Sequence, residues 1–331
     1  MAADTASLSS AIKTLYERRL LTRALPRLVH GRFGQKPRWK GYGAYEVRRW
    51  ESLSLVSSTL TEGNTPLEHA APTITVITMT PEWYGAYIKY TDKLVMTSFD
   101  PAVSEISALL GEQAGLSIDT IIRNALTAGA TKDYSGGATT RATIDKTNDI
   151  IAFVDFIQNV AELENQNTRP VEGPFYVVIM HPHTWATLMQ DTTFVTLFTR
   201  EGGESLRSGF VGTILNCKLY VTSNAREYVD AGQNSVEDVY SMLFIGREAY
   251  ACAGLSGLAP NLASDSGGPQ VRGGMTGQRG LNVVEIIMFG LGETGFDPLR
   301  QRGTVAWKTT HVDQILQGNW IRDLEHANDF S

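Results

Sequence analysis

The chain has 331 residues, of which 42% are hydrophobic and 19% charged, and its formal net charge at pH 7 is −6. This is an ordinary globular composition with room for a sizeable core in one or two domains. It excludes a membrane-spanning chain, since no window approaches roughly 18 uninterrupted apolar residues, and it excludes a disulfide framework, since Cys217 and Cys252 are the only cysteines.

The N-terminus has no basic region followed by an apolar core, so no signal peptide is expected and both thiols should be reduced and partly buried. Charge is unevenly placed, because residues 1–50 contain eleven Lys and Arg against three acidic residues. That net charge of +8 leaves −14 for the other residues. The asymmetry is typical of a basic arm that contacts nucleic acid or an acidic surface, such as a neighbouring copy of the chain. The alternative is a solvated basic helix without a partner.

The first elements predict extensions rather than a compact domain. Apolar residues from Leu8 to Leu21 recur at helical spacing and predict an amphipathic helix, which Pro26 ends or kinks. Residues 45–60 and 73–79 alternate like strands around a polar tip and predict a long β-hairpin, with strand character continuing over 84–95. A two-stranded ribbon is marginal in water, so this hairpin needs a surface to lie on.

A long amphipathic helix is the central prediction. Asp100 is a favourable N-cap and Pro101 suits the first turn. From Val103 to Leu126, apolar residues recur at steps of three and four. A helix over 101–129 would be roughly 43 Å long, which indicates a spine against which other elements pack.

The second half of the chain predicts a mixed domain, so the fold class is α+β. Helices are predicted over 145–165 and 181–190, and strands over 175–180, 214–223, 239–245, 281–289 and 304–316. The run at 175–180 is continuously apolar, which is typical of a central buried strand. The glycine-rich stretch 254–280 predicts a long loop that is functional, disordered or ordered only by a partner, and the tail after residue 320 is polar.

Motifs that carry chemistry are weak. The sequence from Gly290 to Gly295 matches GxGxxG after a strand, but no helix follows to meet a pyrophosphate, so a loop is the better interpretation. His181 and His183 lack further ligands, and a helix start with Pro182 in its first turn is favoured over a metal site. No catalytic, cofactor-binding or metal-binding residue is predicted.

Several segments, in their order and spacing, resemble a known family. They are LVHGRFGQKP (28–37), LTEGNTP (60–66), YGAYIKYTD (84–92), FDPAVSEISALLGEQAGLSIDTIIRNAL (99–126), VIMHPHTW (178–185) and DPLRQRGTVAWK (297–308). The chain resembles the major capsid proteins of tailed phages with the Hong Kong ninety-seven fold, in the branch typified by coliphage N-four.

The resemblance implies a domain plan. Residues 1–40 would form an N-terminal arm, 41–83 an extended loop (the hairpin) and 84–174 a peripheral domain with its spine helix at 100–129. Residues 175–290 would form an axial domain, and 291–331 would return to the peripheral domain and end in a tail. The implied function is a non-enzymatic capsid protein that self-assembles into pentamers and hexamers and forms an icosahedral or prolate head around double-stranded DNA.

The resemblance also implies partners and contacts. The chain would meet copies of itself, a portal protein and separate scaffold and decoration proteins, would lie near packaged DNA without specific binding, and would not contact a membrane. Assembly is expected in the host cytoplasm and the final location in the virion capsid. The hairpin tip contains no lysine, so no autocatalytic crosslink is expected. The predicted intersubunit residues are Arg18, Arg19, Arg23 and Arg27 on the arm and Glu62, Glu68 and His69 at the tip.

Two other classes of function stay open at this point. One is a soluble nucleotide-dependent enzyme that uses the loop 290–295. The other is a nucleic-acid-binding module that acts through the basic arm, whose binding would weaken with salt.

Overall fold

A computed structural model gives the fold for residues 29–37, 44–57, 59, 62–63, 71–98, 102–200, 210–254, 285–289, 299 and 301–329. Within these residues the strands form a two-stranded hairpin, a four-stranded sheet and a seven-stranded sheet. One long helix packs against both larger sheets. The predicted α+β class is therefore confirmed.

The predicted hairpin is present. Strands β1 (Tyr45–Trp50) and β2 (Ile74–Met79) pair antiparallel, with Tyr45 opposite Met79 and Trp50 opposite Ile74. The first strand is shorter than the predicted 45–60. After the bond from Glu51 N–H to the Thr73 carbonyl, the serine-rich segment 52–57 has no regular pairing within the described residues.

The predicted spine is also present. Strand β3 (Glu82–Thr91) leads to a short helix α1 (Asp92–Thr97) and then to α2 (Ala102–Gly129), while the predicted caps Asp100 and Pro101 lie outside the described residues. The strand pattern predicted to residue 95 was wrong. The Thr91 hydroxyl accepts from Leu94 N–H at 3.3 Å and starts a helical turn there.

The four-stranded sheet is built on one long strand. Strand β12 (Arg302–Ile315) pairs antiparallel with β3, β10 (Tyr250–Gly254) and β11 (Glu285–Phe289). The last strand, predicted over 304–316, is thus confirmed. No strand was predicted at the position of β10. Tyr90, Val305 and Trp307 from the sheet pack on Leu110 and Ala114 of α2 and form one of the apolar clusters.

Helices cover the two faces of the seven-stranded sheet. Its strands lie in the order β4 (Thr131–Tyr134), β13 (Ile321–His326), β9 (Val239–Ile245), β5 (Tyr176–Met180), β7 (Cys217–Val221) and β6 (Phe210–Ile214), and β8 (Glu227–Tyr228) pairs with β9. On one face, Ile118 and Ile122 of α2 pack against Val177 and Ile179. On the other face, helix α3 (Phe153–Asn165) packs on the alternate residues. Because both faces are covered, the strand at 176–180 is buried at every position, as its continuous apolar run predicted. The remaining α-helices in the described residues are α4 (Pro182–Leu188) and α5 (Thr192–Arg200).

The polar tail expected after residue 320 is instead a buried strand. Strand β13 lies between β4 and β9 inside the sheet, and its Asp323 and Glu325 are fully buried. Lys132 contacts both carboxylates, and Arg141 donates two hydrogen bonds to Glu325 at 2.6 and 2.8 Å. Polar residues fit this interior because the chain supplies partners for their charges.

The helix predicted over 145–165 begins later than expected. Asp145 accepts hydrogen bonds from the backbone of Thr147 and Asn148 at 2.7 and 2.6 Å, which forms a turn. Helix α3 starts only at Phe153. An aspartate that accepts hydrogen bonds from the backbone two and three residues later stabilises a turn in place of a helix, which explains the later start of α3.

Candidate assembly surfaces

The hairpin presents two different faces because its residues alternate. Tyr45, Val47 and Ile77 point inward and pack with Met79 on Ala251 and Val312 of the four-stranded sheet. The opposite face and the segment after β1 carry large apolar side chains that stay exposed. We call this set the apolar hairpin surface: Trp50, Leu53, Leu55, Val56, Ile74 and Val76.

Exposure on this surface is large. Leu55 is 96% exposed, Val56 71% and Trp50 65%. Contiguous exposed apolar groups of this kind mark a surface that another molecule covers.

The base of the hairpin is held by a polar clamp. Arg49 donates to the Leu316 carbonyl at 2.9 Å and to Glu51 at 2.7 Å, and Thr75 donates to the same Glu51 oxygen. Hydrogen bonds from Thr75 and Arg49 hold the pKa of Glu51 below its ordinary value. The clamp fixes the direction in which the hairpin leaves the four-stranded sheet.

A second exposed surface lies on the four-stranded sheet, on the side away from α2. Trp83 and Tyr87 flank Gly85 on β3. Lys308 lies opposite Gly85 on β12, and its ammonium is 4.2 Å from the centre of the Trp83 ring. These residues line a shallow notch of about 290 Å³. The backbone approaches closely here, since a Cβ on Gly85 would lie 2.7 Å from the Trp307 carbonyl oxygen. We call this feature the aromatic notch.

The segment 29–37, which the sequence placed in the arm, is anchored in the core. Asp119 of α2 accepts from the backbone N–H groups of Val29 and His30 at 2.9 and 2.8 Å, and from Asn224 at 2.8 Å. Phe33 packs in the apolar cluster beneath α2, and Gln35 exchanges backbone hydrogen bonds with β10. Burial would raise the pKa of Asp119, but hydrogen bonds from His30 and Asn224 outweigh it and lower that pKa.

Most of the predicted intersubunit residues lie outside the described residues. These are Arg18, Arg19, Arg23, Arg27, Glu68 and His69. Glu62 is described and is exposed at the hairpin tip. The sequence reasoning missed the aromatic notch, although the period-two spacing of Trp83, Gly85 and Tyr87 was a visible signal.

The structure also bears on the chemical motifs. His181 caps α4 and Pro182 occupies its first position, as predicted, while His183 Nδ1 lies 3.1 Å from the Tyr240 hydroxyl. The loop 290–295 lies outside the described residues. Within the described ranges, no group of three or more His, Cys, Asp or Glu is placed to hold a metal ion, and no helix has the length and apolar character that crossing a membrane requires.

Both cysteines are free and buried, as predicted. Burial raises the pKa of Cys217 to about 12 and that of Cys252 to about 12. Neither thiol is therefore primed for nucleophilic chemistry.

Comparisons with known proteins agree with one another. Residues 75–311, more than half of the chain, match the model of a family described as phage capsid protein. The capsid of Ralstonia phage GP4 is similar in structure, with 16% identity, a TM-score of 0.60, and coverage of 88% of this chain and 86% of that one. A search of curated proteins finds no match.

Two cyanophage capsid structures are also similar to this chain. The capsid of cyanophage P-SCSP1u has 13% identity and a TM-score of 0.60, and the alignment covers 91% of this chain and 89% of that one. The capsid asymmetric unit of cyanophage Pam1 has 10% identity and a TM-score of 0.61, with 88% and 87% covered. At these identities the likeness is one of fold.

Proposed function

This chain belongs to the phage capsid protein family, and from that premise we propose that its copies associate into pentamers and hexamers that close into a shell around double-stranded DNA. The Hong Kong ninety-seven fold and the role as a major capsid protein of a phage head are confirmed by the family match and the similar capsids. The resemblance to the coliphage N-four branch stays a prediction. The alternative of a nucleotide-dependent enzyme finds no support in these comparisons.

The observation that carries the proposal is the apolar hairpin surface. A monomer in water would leave Trp50, Leu55 and Val56 solvated, whereas covering them stabilises an assembly by about 25 cal/mol for each Å² of apolar area removed from water. Obligate interfaces usually exceed about 2,000 Å². A hairpin that lies across the neighbouring copy supplies this kind of area, and each copy gives and receives the same contact.

Closed shells require head-to-tail contacts that repeat around a ring. A heterologous interface of this kind either closes into rings or grows into open filaments. The hairpin leaves its own sheet in a fixed direction because Arg49 holds its base. We infer that this rigidity helps set the angle between neighbouring copies, so that rings of five and six form.

The wider set of partners belongs to the same proposal. The arm (1–40), extended loop (41–83), peripheral domain (84–174), axial domain (175–290) and return segment (291–331) would divide the contacts as the family resemblance implies. The shell would form in the host cytoplasm, meet a portal protein, and use separate scaffold and decoration proteins. It would act without enzymatic activity and hold DNA by enclosure. The acidic balance of residues 51–331 favours weak, non-specific contact with DNA.

The first experiment is sedimentation velocity of the purified full chain combined with negative-stain microscopy, alone and coexpressed with neighbouring genes. Shells, tubes or capsomer rings are expected. A chain that stays monomeric in every coexpression, and whose hairpin is protected from hydrogen exchange, contradicts the proposal. The enzyme alternative is checked by thermal shift with NAD and NADP, which should leave the melting temperature unchanged.

A variant tests the predicted role of the arm. Replacing Arg18, Arg19, Arg23 and Arg27 with Glu should block shells while the monomer stays folded. Shells in normal yield would show that the arm makes no assembly contact.

A further inference from the structure

A polar cleft lies between helix α3 and two neighbouring strands of the seven-stranded sheet, the edge strand β4 and the inner strand β13. Its volume is about 460 Å³. Asp133 lines it from β4, Arg322 from β13, and Asp155, Asn159 and Glu162 from α3. Neither the fold nor the apolar hairpin surface explains this concentration of polar groups.

Carboxylates outnumber cations in the cleft. Arg322 is its only described lining cation, and it lies 3.1 Å from Asp133 and 3.3 Å from Glu162. The Asp155 carboxylate already has two hydrogen-bond donors, because it accepts from Ser135 Oγ at 2.5 Å and from Ala152 N–H at 3.1 Å. With three carboxylates and one guanidinium, the formal charge of the cleft is about −2.

A buried acceptor in the cleft lacks a donor. Asn159 is only 4% exposed, and its Oδ1 has no hydrogen-bond partner, while its amide nitrogen donates to the Asp155 carbonyl at 3.0 Å. Oδ2 of Asp133 is also buried, but its ion-pair partner, Arg322 Nε, lies 3.1 Å away. Buried acceptors are nearly always satisfied in native proteins, so Asn159 Oδ1 indicates a donor that arrives from elsewhere.

A cation with several N–H donors fits the charge and the free acceptor of the cleft best. A negative cleft repels another carboxylate or a phosphate, and an apolar side chain would leave Asn159 Oδ1 unsatisfied. An arginine side chain carries five N–H donors and a lysine side chain three, each with a positive charge. The chain itself contains such side chains in residues 1–28, where Lys13, Arg18, Arg19, Arg23 and Arg27 face only two acidic residues.

We propose that this cleft is the binding site for a basic side chain from residues 1–28 of a neighbouring copy. The inference rests on the proposed assembly and names the place where the basic segment would bind. A neighbouring copy is favoured over the same chain as the source of this side chain, because residue 29 and the cleft lie on opposite faces of the seven-stranded sheet. Residue 29, at which the described chain begins, is bonded to Asp119 on the α2 face of the seven-stranded sheet. The cleft lies beside α3, which covers the opposite face.

A matched pair of charge reversals on one helix tests the proposal. Glu162→Lys inverts a charge in the cleft, and Glu164→Lys makes the same change on the opposite side of α3, where Glu164 is exposed. In full-length protein that assembles as wild type, Glu162→Lys should reduce the assembled fraction about tenfold, and Glu164→Lys should not. Equal assembly of both variants, with unchanged melting temperatures, overturns the proposal.

A disulfide-trapping experiment identifies the occupant independently of stability. Gln158 lines the cleft and is exposed, and both native thiols are buried, so an introduced Gln158→Cys should react selectively. It is combined in turn with Arg18→Cys, Arg19→Cys, Arg23→Cys and Arg27→Cys, and Glu164→Cys serves as the control position. At least one pair with Gln158→Cys should give a covalent dimer, and the control pairs should not.

The outcomes separate the two hypotheses. Trapping within one chain, seen by intact mass without a dimer, overturns binding by a neighbouring copy. Shells that form without trapping at either position overturn the cleft site and leave the proposed function standing. Wild-type protein that never assembles in any coexpression contradicts the proposed function itself, and with it this inference.

Discussion

Asp119 and His30 lie 89 positions apart in sequence and meet at 2.8 Å between Oδ2 and Nδ1, with both side chains fully buried. The contact ties the segment that follows the basic N-terminal stretch to the middle of helix α2. Tyr250 donates to the His30 carbonyl and strengthens the same anchor. The position of residues 29 and 30 in the fold is therefore fixed by the spine helix.

Removing this anchor should be costly. Asp119→Ala leaves the N–H groups of Val29 and His30 and the Asn224 amide without their acceptor, and we expect a loss of about 3 kcal/mol in the free energy of unfolding. Urea denaturation measures it, with Glu164→Ala as an exposed control. A loss below that of the control would mean that the anchor contributes nothing to stability.

A second prediction concerns the charges within β13. Lys132→Met removes the ammonium that contacts Asp323 and Glu325, two fully buried carboxylates, and leaves Asp323 with Ser241. Breaking a buried pair on one side typically costs about 3 kcal/mol or more. Thermal unfolding should show a clear drop for Lys132→Met and almost none for Lys93→Met, because Lys93 is exposed.

The close approach at Gly85 gives a third prediction. A Cβ there would press on the Trp307 carbonyl oxygen at 2.7 Å, so Gly85→Ala must push β3 away from β12 and should destabilise the fold by about 2 kcal/mol. At Gly137 an added Cβ meets nothing within 4 Å, so Gly137→Ala serves as the control. Equal unfolding midpoints for the two variants would contradict the pairing of β3 with β12.

The apolar hairpin surface supplies a fourth prediction, in which assembly and stability separate. Leu55→Asp should leave the unfolding free energy within about 0.5 kcal/mol of wild type, since the side chain touches little in the monomer. It should nevertheless lower the assembled fraction in sedimentation about tenfold or more. Val236 is 71% exposed and lies outside the hairpin, so Val236→Asp should assemble normally. Normal shells from Leu55→Asp would exclude this residue from the interface.

A fifth prediction follows from a buried histidine. Burial lowers the pKa of His326 from 6.5 to about 4, so the unfolded chain binds its proton first as the pH falls. His326 therefore does not reduce the free energy of unfolding above pH 6.5. As the pH falls from 6.5 to about 4, it lowers that free energy by about 1.4 kcal/mol per pH unit. In urea unfolding at pH 6.5 and 4.5, His326→Gln should show a smaller difference than wild type. An unchanged difference would show that His326 does not titrate in this range.

Periodicity in the sequence predicted the elements whose partners are mainly apolar. The hairpin, helix α2 and the strand at 176–180 were all identified, because burial on one face or both leaves a clear pattern. Strand β13 was missed because its sequence IRDLEH reads as polar. Its partners Lys132 and Arg141 precede it by more than 180 residues, and no local pattern connects them.

The assembly surfaces were predicted only in part. The need of the hairpin for an external surface followed from its two-stranded form, and the structure locates the exposed residues on it. The aromatic notch and the cleft beside α3 were missed. Each is built by elements distant in sequence, and the unpaired acceptor of Asn159 becomes visible only when the surrounding atoms are placed.

The position of β13 has a consequence for the time course of folding. Its pairing with β4 joins residues 191 positions apart, and contacts of such long range form slowly. Until β13 inserts, β9 exposes an unpaired edge in a strand that is buried at every position in the finished fold. Such an edge invites pairing with other chains, so we expect refolding yield to fall as protein concentration rises until β13 has paired.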